Sequence, residues 1–557
     1  MSDRFQYPLA RSLDQLKPHY DVVVVGSGYG GGVAACRLAR AGLSVCVLER
    51  GREFRPGDFS NDWRHILKEL KLSGRKVRLG SDAGLYDFRA GRDIHVLTAN
   101  GLGGGSLING AVALRAEPRV FANGGWPEAL SHDGLFEEGL ARAEQMLGVN
   151  HCPDAEGLAK FQALKRGAET FGARVETLPT TITYRSRNSG PSVDPRTCAM
   201  CGDCWSGCNS GAKNTVAKTY LVDASRNGAE IFTLATVHHV SKDNDVWSVH
   251  VGATLPDKSS KPASEFIIRA TNVILAAGTL GSTEILLRSR ERGLQVSDRL
   301  GKGFSGNGDE MLIGRGLDQC VNDVAVGFPP RAETPPVGPS TVAMIRASDG
   351  EAGNATVVLQ DGTMMPLMAM MAPLKAFTEL NWARAFQMLR EGPYGGHRSR
   401  TQVYYVITPD AGSGEMRLEN NRVIVDWPGV KDDTCFERGK RMATRLIENL
   451  GGSVVSNPLS DRVLGGRKIT VHPLGGCAMG ENAATGVVDD RCRVFDVSRG
   501  ATRDVHEGLY VCDGSVIRGS LGVNPLLTIS ALAERAMSLL VAYSREDSGV
   551  PAAHHVH

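Results

Sequence analysis

Cys198, Cys201, Cys204 and Cys208 crowd four thiols into "CAMCGDCWSGCNSGAKNT", spaced C-x2-C-x2-C-x3-C. Thiolates at that spacing wrap iron–sulfur clusters in bacterial ferredoxins, so one-electron relay is the chemistry the run suggests. Gly202, Gly207 and Gly211 would let the backbone curl until several thiolates converge. Zinc is the first rival, although structural zinc usually draws two close pairs from opposite sides of a longer loop. Disulfides are the second, disfavoured where thiols stay reduced, and a metal-free cluster of packing thiols is the third. Asn209 stands where proline usually follows, and there is no second run, so a three-iron and a four-iron cluster both stay open. His472, in "TVHPLGGC", is the other candidate: an imidazole titrates near neutrality and suits proton removal, and Pro473 with a Gly-Gly pair presents it from a rigid strand end. Asn524, in "GSLGVNPLL", offers an amide that can donate to an oxygen.

Other elements must position these groups. "DVVVVGSGYGGGVAACRLARAGLSVCVLERG" reads strand, glycine turn, helix, strand. Gly26, Gly28 and Gly31 complete G-x-G-x-x-G, permitting a tight turn, close approach to a pyrophosphate and close helix packing. The helix N-terminus then faces the phosphates. Glu49, 18 residues beyond Gly31, ends the second strand where it can accept hydrogen bonds from a ribose. The motif alone does not separate FAD from NAD. Three further segments bear on that choice: the glycine-rich "TANGLGGGSLINGAVALRAEP", with Ser106 and Asn109 as polar tips; the strand-turn-helix "NVILAAGTLGSTEILLRS"; and the C-terminal pair "HPLGGCAMG" and "LYVCDGSVIRGSLGVNPLLTISALAERAM".

Together these segments resemble the glucose–methanol–choline (GMC) oxidoreductases, and within them the cholesterol-oxidase-like branch of FAD enzymes that oxidise alcohols. The resemblance implies an α/β fold: a Rossmann-like FAD-binding domain of GMC type with an inserted α+β substrate domain on an antiparallel sheet. It implies that Gly26, Gly28, Gly31 and Glu49 hold the ADP half of FAD, and that Gly104, Gly105, Ser106 and Asn109 lie along pyrophosphate and flavin. Val237 would meet the adenine, Asp513 the ribityl and pyrophosphate, and Asn524, Pro525 and Leu526 the isoalloxazine edge. His472 and Asn524 take the family's His/Asn catalytic form. For the additional acid of cholesterol oxidases, Glu310 in "GNGDEML" and Glu379 are candidates. Long-chain fatty-alcohol oxidases carry a segment similar to the cysteine run, which is the case for a metal-free reading.

Composition sets the frame. With 42% hydrophobic and 22% charged residues the chain reads as soluble and globular, and 557 residues exceed the roughly 250–300 at which single cores stop growing. The expected division is 1–150, 216–320 and 462–557 for FAD binding, 151–215 for an inserted cysteine segment, and 321–461 for the substrate domain. In the last, "TQVYYVI" and "MRLENNRVIVDW" alternate as antiparallel strands, with Asn420-Asn421 as a tight turn. Five methionines from Met364 to Met371 suit either an apolar pocket or core filling. The 63 basic and 61 acidic residues nearly cancel, so nothing points to nucleic acid or anionic membrane. No stretch approaches the ~18 uninterrupted apolar residues of a membrane span, and a cytoplasmic location with reduced thiols is the default. The function expected is FAD-dependent oxidation of a hydroxyl on an apolar, sterol-like or glycosidic substrate, with electrons leaving through a cluster to an external acceptor. The alternatives are an oxygen-using oxidase without a cluster, or a non-catalytic flavin electron-transfer protein.

Overall fold

His19–Val25 is buried on both faces through Val22, Val23, Val24 and Val25, so it reads as a continuous apolar run instead of an alternating one. Parallel partners flank it: Val45–Leu48 on one side and Phe266–Leu275 on the other. In the computed structural model, which describes residues 8–547 apart from 61–62, 76, 124, 185–196, 256–264, 328–335, 349–355, 366–381, 392–395, 458–465 and 501, this is the centre of a nine-stranded sheet. Its order is Ala10–Arg11, Glu230–Phe232, Val45–Leu48, His19–Val25, Phe266–Leu275, Val246–Ala253, Ala235–Asp243. Val505–Val511 pairs in parallel with the C-terminal end of Phe266–Leu275, and Arg493–Phe495 pairs with it in turn.

Register decides where this sheet can bind a ligand. Val25 lies opposite Leu48 and Leu275, and Leu275 opposite Val511. The four strands therefore end flush, and Gly26, Glu49, Ala276 and Cys512 all emerge at one carboxyl edge, the usual ligand-binding edge of such sheets. Tyr29–Arg40 and Leu526–Asp547 pack together there, locked by Arg37, whose guanidinium makes two hydrogen bonds (2.6 and 2.8 Å) to the buried Glu534. Leu526–Tyr543 is long and apolar enough to cross a membrane by length and composition, but most of it is buried inside the protein.

A second, six-stranded antiparallel sheet runs in the order Ser453–Ser456, Asp309–Arg315, Thr401–Ile407, Val357–Gly362, Ala343–Ala347, Val175–Thr177. Helices Ala159–Ala168 and Thr434–Asn449 bury a separate apolar core against it. The Asn420-Asn421 turn forms as expected, both residues taking positive φ (51° and 60°). Its hairpin, Gly414–Glu419 with Arg422–Asp426, does not join the six-stranded sheet. It pairs with Lys302–Phe304, and Arg288 of helix Gly278–Glu291 donates to the Asn421 carbonyl, which draws the hairpin to the nucleotide-binding side.

Candidate active site

One continuous cavity of about 400 Å³ opens at the carboxyl edge of the large sheet. Gly26, Gly28, Glu49, Gly104, Gly105, Asn109, Val237, Asp513, Pro525 and Leu526 line it, as do His472 and Asn524. Glu49 is buried, takes hydrogen bonds from the Ser27 amide (3.2 Å) and the Gly51 amide (2.8 Å), and has its carboxyl pushed upward by burial. The Ser27 hydroxyl in turn accepts from Gly103 N (2.9 Å), pinning the two glycine turns to each other. Asp513 accepts from Ser515 N (2.8 Å) and from the Ser282 hydroxyl. Asn109 donates to the buried Tyr29 hydroxyl (2.7 Å), a cavity residue the sequence reading passed over.

Two expected cofactor residues are not among the cavity's lining. Ser106 is buried behind its loop, donating to Gly103 O (2.6 Å) and accepting from Val216 N (3.0 Å), so it shapes the loop instead of forming a polar tip. Gly31 sits in helix packing, where an added Cβ would meet Gly26 O at 2.1 Å.

His472 follows the strand Lys468–Thr470, which pairs in parallel with Ile94–Ala99. Asp309, the first residue of Asp309–Arg315, receives four hydrogen bonds there. One oxygen meets His472 Nδ1 at 2.8 Å, while the other accepts from the Val471 and His472 amides and the Thr470 hydroxyl, each at 3.0 Å. Asn524 Oδ1 accepts from Gln360 Nε2 at 2.7 Å. The turn 305–308 joins the two arms: Asn307 donates to Val523 O (2.9 Å) and accepts from Leu521 N (2.9 Å), while the half-buried Asp410 braces the turn through Ser305, Gly306 and Gly308.

Across the six-stranded sheet Met311 and Gln360 both lie opposite Tyr405, and Asp309 lies opposite Ile407. Side chains alternate along a strand, so these residues share the face that lines the cavity. Glu310 projects from the same strand one residue later and forms an ion pair with Lys468 (2.9 Å), with burial raising its pKa. Glu310, a candidate for the additional acid, lines the cavity, while the carboxylate that touches His472 is Asp309, which the sequence did not single out. Glu379 lies outside the described residues, as do Met368, Met370 and Met371; of the methionine run, Met365 lines the cavity and Met364 packs in a core cluster.

The cysteine run is where expectation and structure part. Among the described residues no group of three or more His, Cys, Asp or Glu side chains is placed to hold a metal ion, and all four cysteines are described. Two of the thiols take hydrogen bonds from the protein: Cys198 Sγ accepts from Met200 N (3.4 Å), and Cys208 Sγ meets Lys213 N (3.4 Å) and the Ser210 hydroxyl (3.3 Å). Burial, then the neighbouring Cys204, pushes Cys201 up to about 12 and Cys198 well above its ordinary value, so both are protonated thiols in the metal-free protein. The glycines serve packing, since a Cβ on Gly207 would strike the Phe59 ring (2.1 Å) and one on Gly202 would strike Val337 (2.8 Å). Asn209 binds the Phe59 backbone through both amide atoms.

What the segment delivers is a wall and a brace. Trp205 lines the cavity with its ring 5.2 Å from that of Tyr405. The buried Lys213 ammonium donates to the carbonyls of Leu107, Asn109 and Cys204, fastening the glycine-rich loop to the segment. Cys204→Ser should accordingly retain FAD and change the rate of flavin reduction by no more than about 2-fold, at a stability cost of about 1 kcal/mol for a perturbed buried contact. Wild-type protein purified without air should contain neither iron nor acid-labile sulfide. Stoichiometric amounts of both would restore the relay.

Flush parallel strand ends, paired glycine turns and helix N-termini around an elongated cavity, with an imidazole and an amide along its wall, define a dinucleotide-dependent oxidoreductase. Residues 21–306 and 459–533 match the N-terminal and C-terminal models of the GMC oxidoreductase family. A cholesterol oxidase from Acinetobacter baumannii is 30% identical, over 94% of this chain and 94% of its own. A long-chain-alcohol oxidase from Arabidopsis thaliana is 27% identical, over 94% of this chain and 67% of its own. The crystal structure of a pyridoxine 4-oxidase from Mesorbium loti superposes with a TM-score of 0.62 at 17% identity, covering 96% of this chain and all of that one. The chain belongs to the GMC oxidoreductase family and is an FAD-dependent oxidoreductase. Its residues fit that cofactor: the nearest protein atom to a Cβ on Gly28 would be 3.9 Å away, leaving the phosphate cradle open, and Glu49 stands where a ribose would meet it.

Proposed function

We propose that this protein oxidises the hydroxyl group of an apolar alcohol, sterol-like or long-chain, to a carbonyl, with dioxygen as the electron acceptor. The observation that carries the reading is that His472 and Asn524 both line the cavity that Gly28 and Glu49 also line. FAD, when bound, supplies the acceptor for the carbon-bound hydride. The chain's own residues manage the oxygen: Asn524 donates to it and orients it, while His472 takes the hydroxyl proton as the O–H bond breaks and the C=O bond forms. Substrate class is supported by the wall around them, where Trp205, Tyr405, Met311, Met365, Ile108 and Ile407 present mainly apolar surface. That wall favours a sterol or fatty alcohol over a glycosidic one, in keeping with the names of the two relatives. Dioxygen is favoured over an electron carrier because those relatives are oxidases and the four cysteines offer no ligand set.

The test is an anaerobic alcohol panel. Cholesterol or 1-dodecanol should bleach the bound flavin, a methyl glycoside should not, and air should restore the colour with one hydrogen peroxide per flavin. Absence of bleaching by every alcohol would refute the reaction. Bleaching without reoxidation in air would refute the acceptor alone.

A further inference from the structure

Both members of the catalytic pair are held by residues from the six-stranded sheet. Asp309 meets His472 on the ring edge away from Nε2, and Gln360, itself buried, gives an N–H to the amide oxygen of Asn524. We infer that Asp309 and Gln360 are positioning residues: Asp309 fixes the tautomer of His472 and Gln360 fixes the amide orientation of Asn524, so that one lone pair and one N–H donor are left for the substrate oxygen. The inference rests on the reading of His472 and Asn524 as the catalytic pair.

At the first arm the hydrogen-bond inventory forces the polarity. An ionised carboxylate accepts and does not donate, so the His472 nitrogen facing Asp309 carries the proton, and Nε2 is left as the acceptor in the neutral ring. The second Asp309 oxygen is fully engaged by the Val471 and His472 amides and the Thr470 hydroxyl, which prevents the carboxylate from turning. At the other arm, a Gln360 N–H aimed at Asn524 Oδ1 turns Asn524 Nδ2 away from Gln360. Without Gln360 the Asn524 amide could flip and set an acceptor against the alcohol oxygen. Sheet register makes the arrangement possible, because Asp309 and Gln360 lie on the same face of strands that flank Thr401–Ile407 on either side.

The charged groups of the neighbouring elements are otherwise engaged: Glu310 on the strand ahead pairs with Lys468 of the His472 segment, Asp410 holds the 305–308 turn, and Asp513 accepts from Ser515 N. Among the described residues, Asp309 is the charged group that contacts the ring.

Asp309→Asn tests the first arm without removing the brace. The new amide oxygen would be held by the same backbone N–H groups, so its NH₂ would face His472 Nδ1 and drive the proton to Nε2. Two-bond ¹H–¹⁵N spectra of histidine-labelled protein, with the His472 signal assigned by its loss in His472→Ala, should show Nδ1–H in the wild type and Nε2–H in Asp309→Asn. Flavin reduction should slow roughly 10–10²-fold, its pH profile should shift, KM should change little, and FAD content should be kept. Gln360→Glu tests the second arm: its carboxylate should capture Asn524 Nδ2 and slow reduction roughly 10-fold while leaving the His472 tautomer and the FAD content unchanged.

An unchanged tautomer in Asp309→Asn overturns the first arm. A Gln360→Glu variant that reduces its flavin at the wild-type rate overturns the second. Loss of FAD or of thermal stability in step with activity, with the tautomer retained, assigns both residues to structure instead. Should His472→Ala itself react normally, the catalytic pair is misassigned and the proposed function falls, which is a separate outcome.

Discussion

His472→Ala should yield a yellow protein that keeps its FAD, while alcohol should bleach it about 10²–10⁴-fold more slowly than the wild type in the absence of air. That range is the usual share of a positioned proton acceptor. The variant folds because the His472 ring is not what anchors its segment: Asp309 accepts from the amides of Val471 and His472, and both bonds survive truncation at Cβ. The cofactor stays because Gly28, Glu49 and Asp513 lie in other segments of the chain. Stopped-flow absorbance of the flavin, followed anaerobically, isolates this step from whatever reoxidises it. Asn524→Ala should cost less, roughly 10-fold, because Asn524 orients the oxygen and accepts no proton. The limb of the pH profile that reports protonation of the acceptor should vanish in His472→Ala and persist in Asn524→Ala. An unaltered reduction rate in the histidine variant would put the active site elsewhere.

How much of this could be read in the chain depends on which constraint wrote each residue. The nucleotide turn was legible because backbone geometry demands glycine at fixed offsets, and Glu49 follows from the length of a βαβ unit. The Asn420-Asn421 turn was legible for the same local reason, both residues taking positive φ, yet the sheet its hairpin joins was not, because pairing with Lys302–Phe304 is settled at long range. Asp309 and Glu310 are neighbours of nearly equal chemistry, and only the register of Asp309–Arg315 against Thr401–Ile407 decides which one reaches His472. Gln360, in a strand of otherwise ordinary sequence, gave no signal at all. The cysteine run was the least legible segment, because its spacing permits thiolates to converge without requiring it. Phe59 and Val337, far away in sequence, are what Gly207 and Gly202 are small for.

Gly28→Val should give a folded, colourless protein. The three glycines of the turn look alike in the sequence and differ in what a side chain would meet. On Gly26, where φ is +93°, a Cβ would lie 2.3 Å from Ala276 O; on Gly31 it would lie 2.1 Å from Gly26 O; and on the adjacent Gly30 it would lie 1.6 Å from Cys512 O. Backbone carbonyls do not yield, so substitutions there act on the fold. Gly28 has an ordinary φ of −69°, and its Cβ would find Gly104 Cα at 3.9 Å as its nearest protein neighbour. A valine therefore costs the fold little and fills the space a pyrophosphate must enter at the N-terminus of helix Tyr29–Arg40. Affinity for FAD should fall on the order of 10²-fold or more, by the few kcal/mol that an overpacked contact carries. The fair reference for stability is wild-type protein stripped of flavin, because bound FAD stabilises the native state by linkage. Against that reference the melting temperature of Gly28→Val should be nearly unchanged, whereas Gly30→Ala should melt well below it or fail to accumulate. Full flavin absorbance in purified Gly28→Val would show that the phosphates run elsewhere. A collapse of Gly28→Val to the level of Gly30→Ala would show instead that Gly28, too, is there for packing.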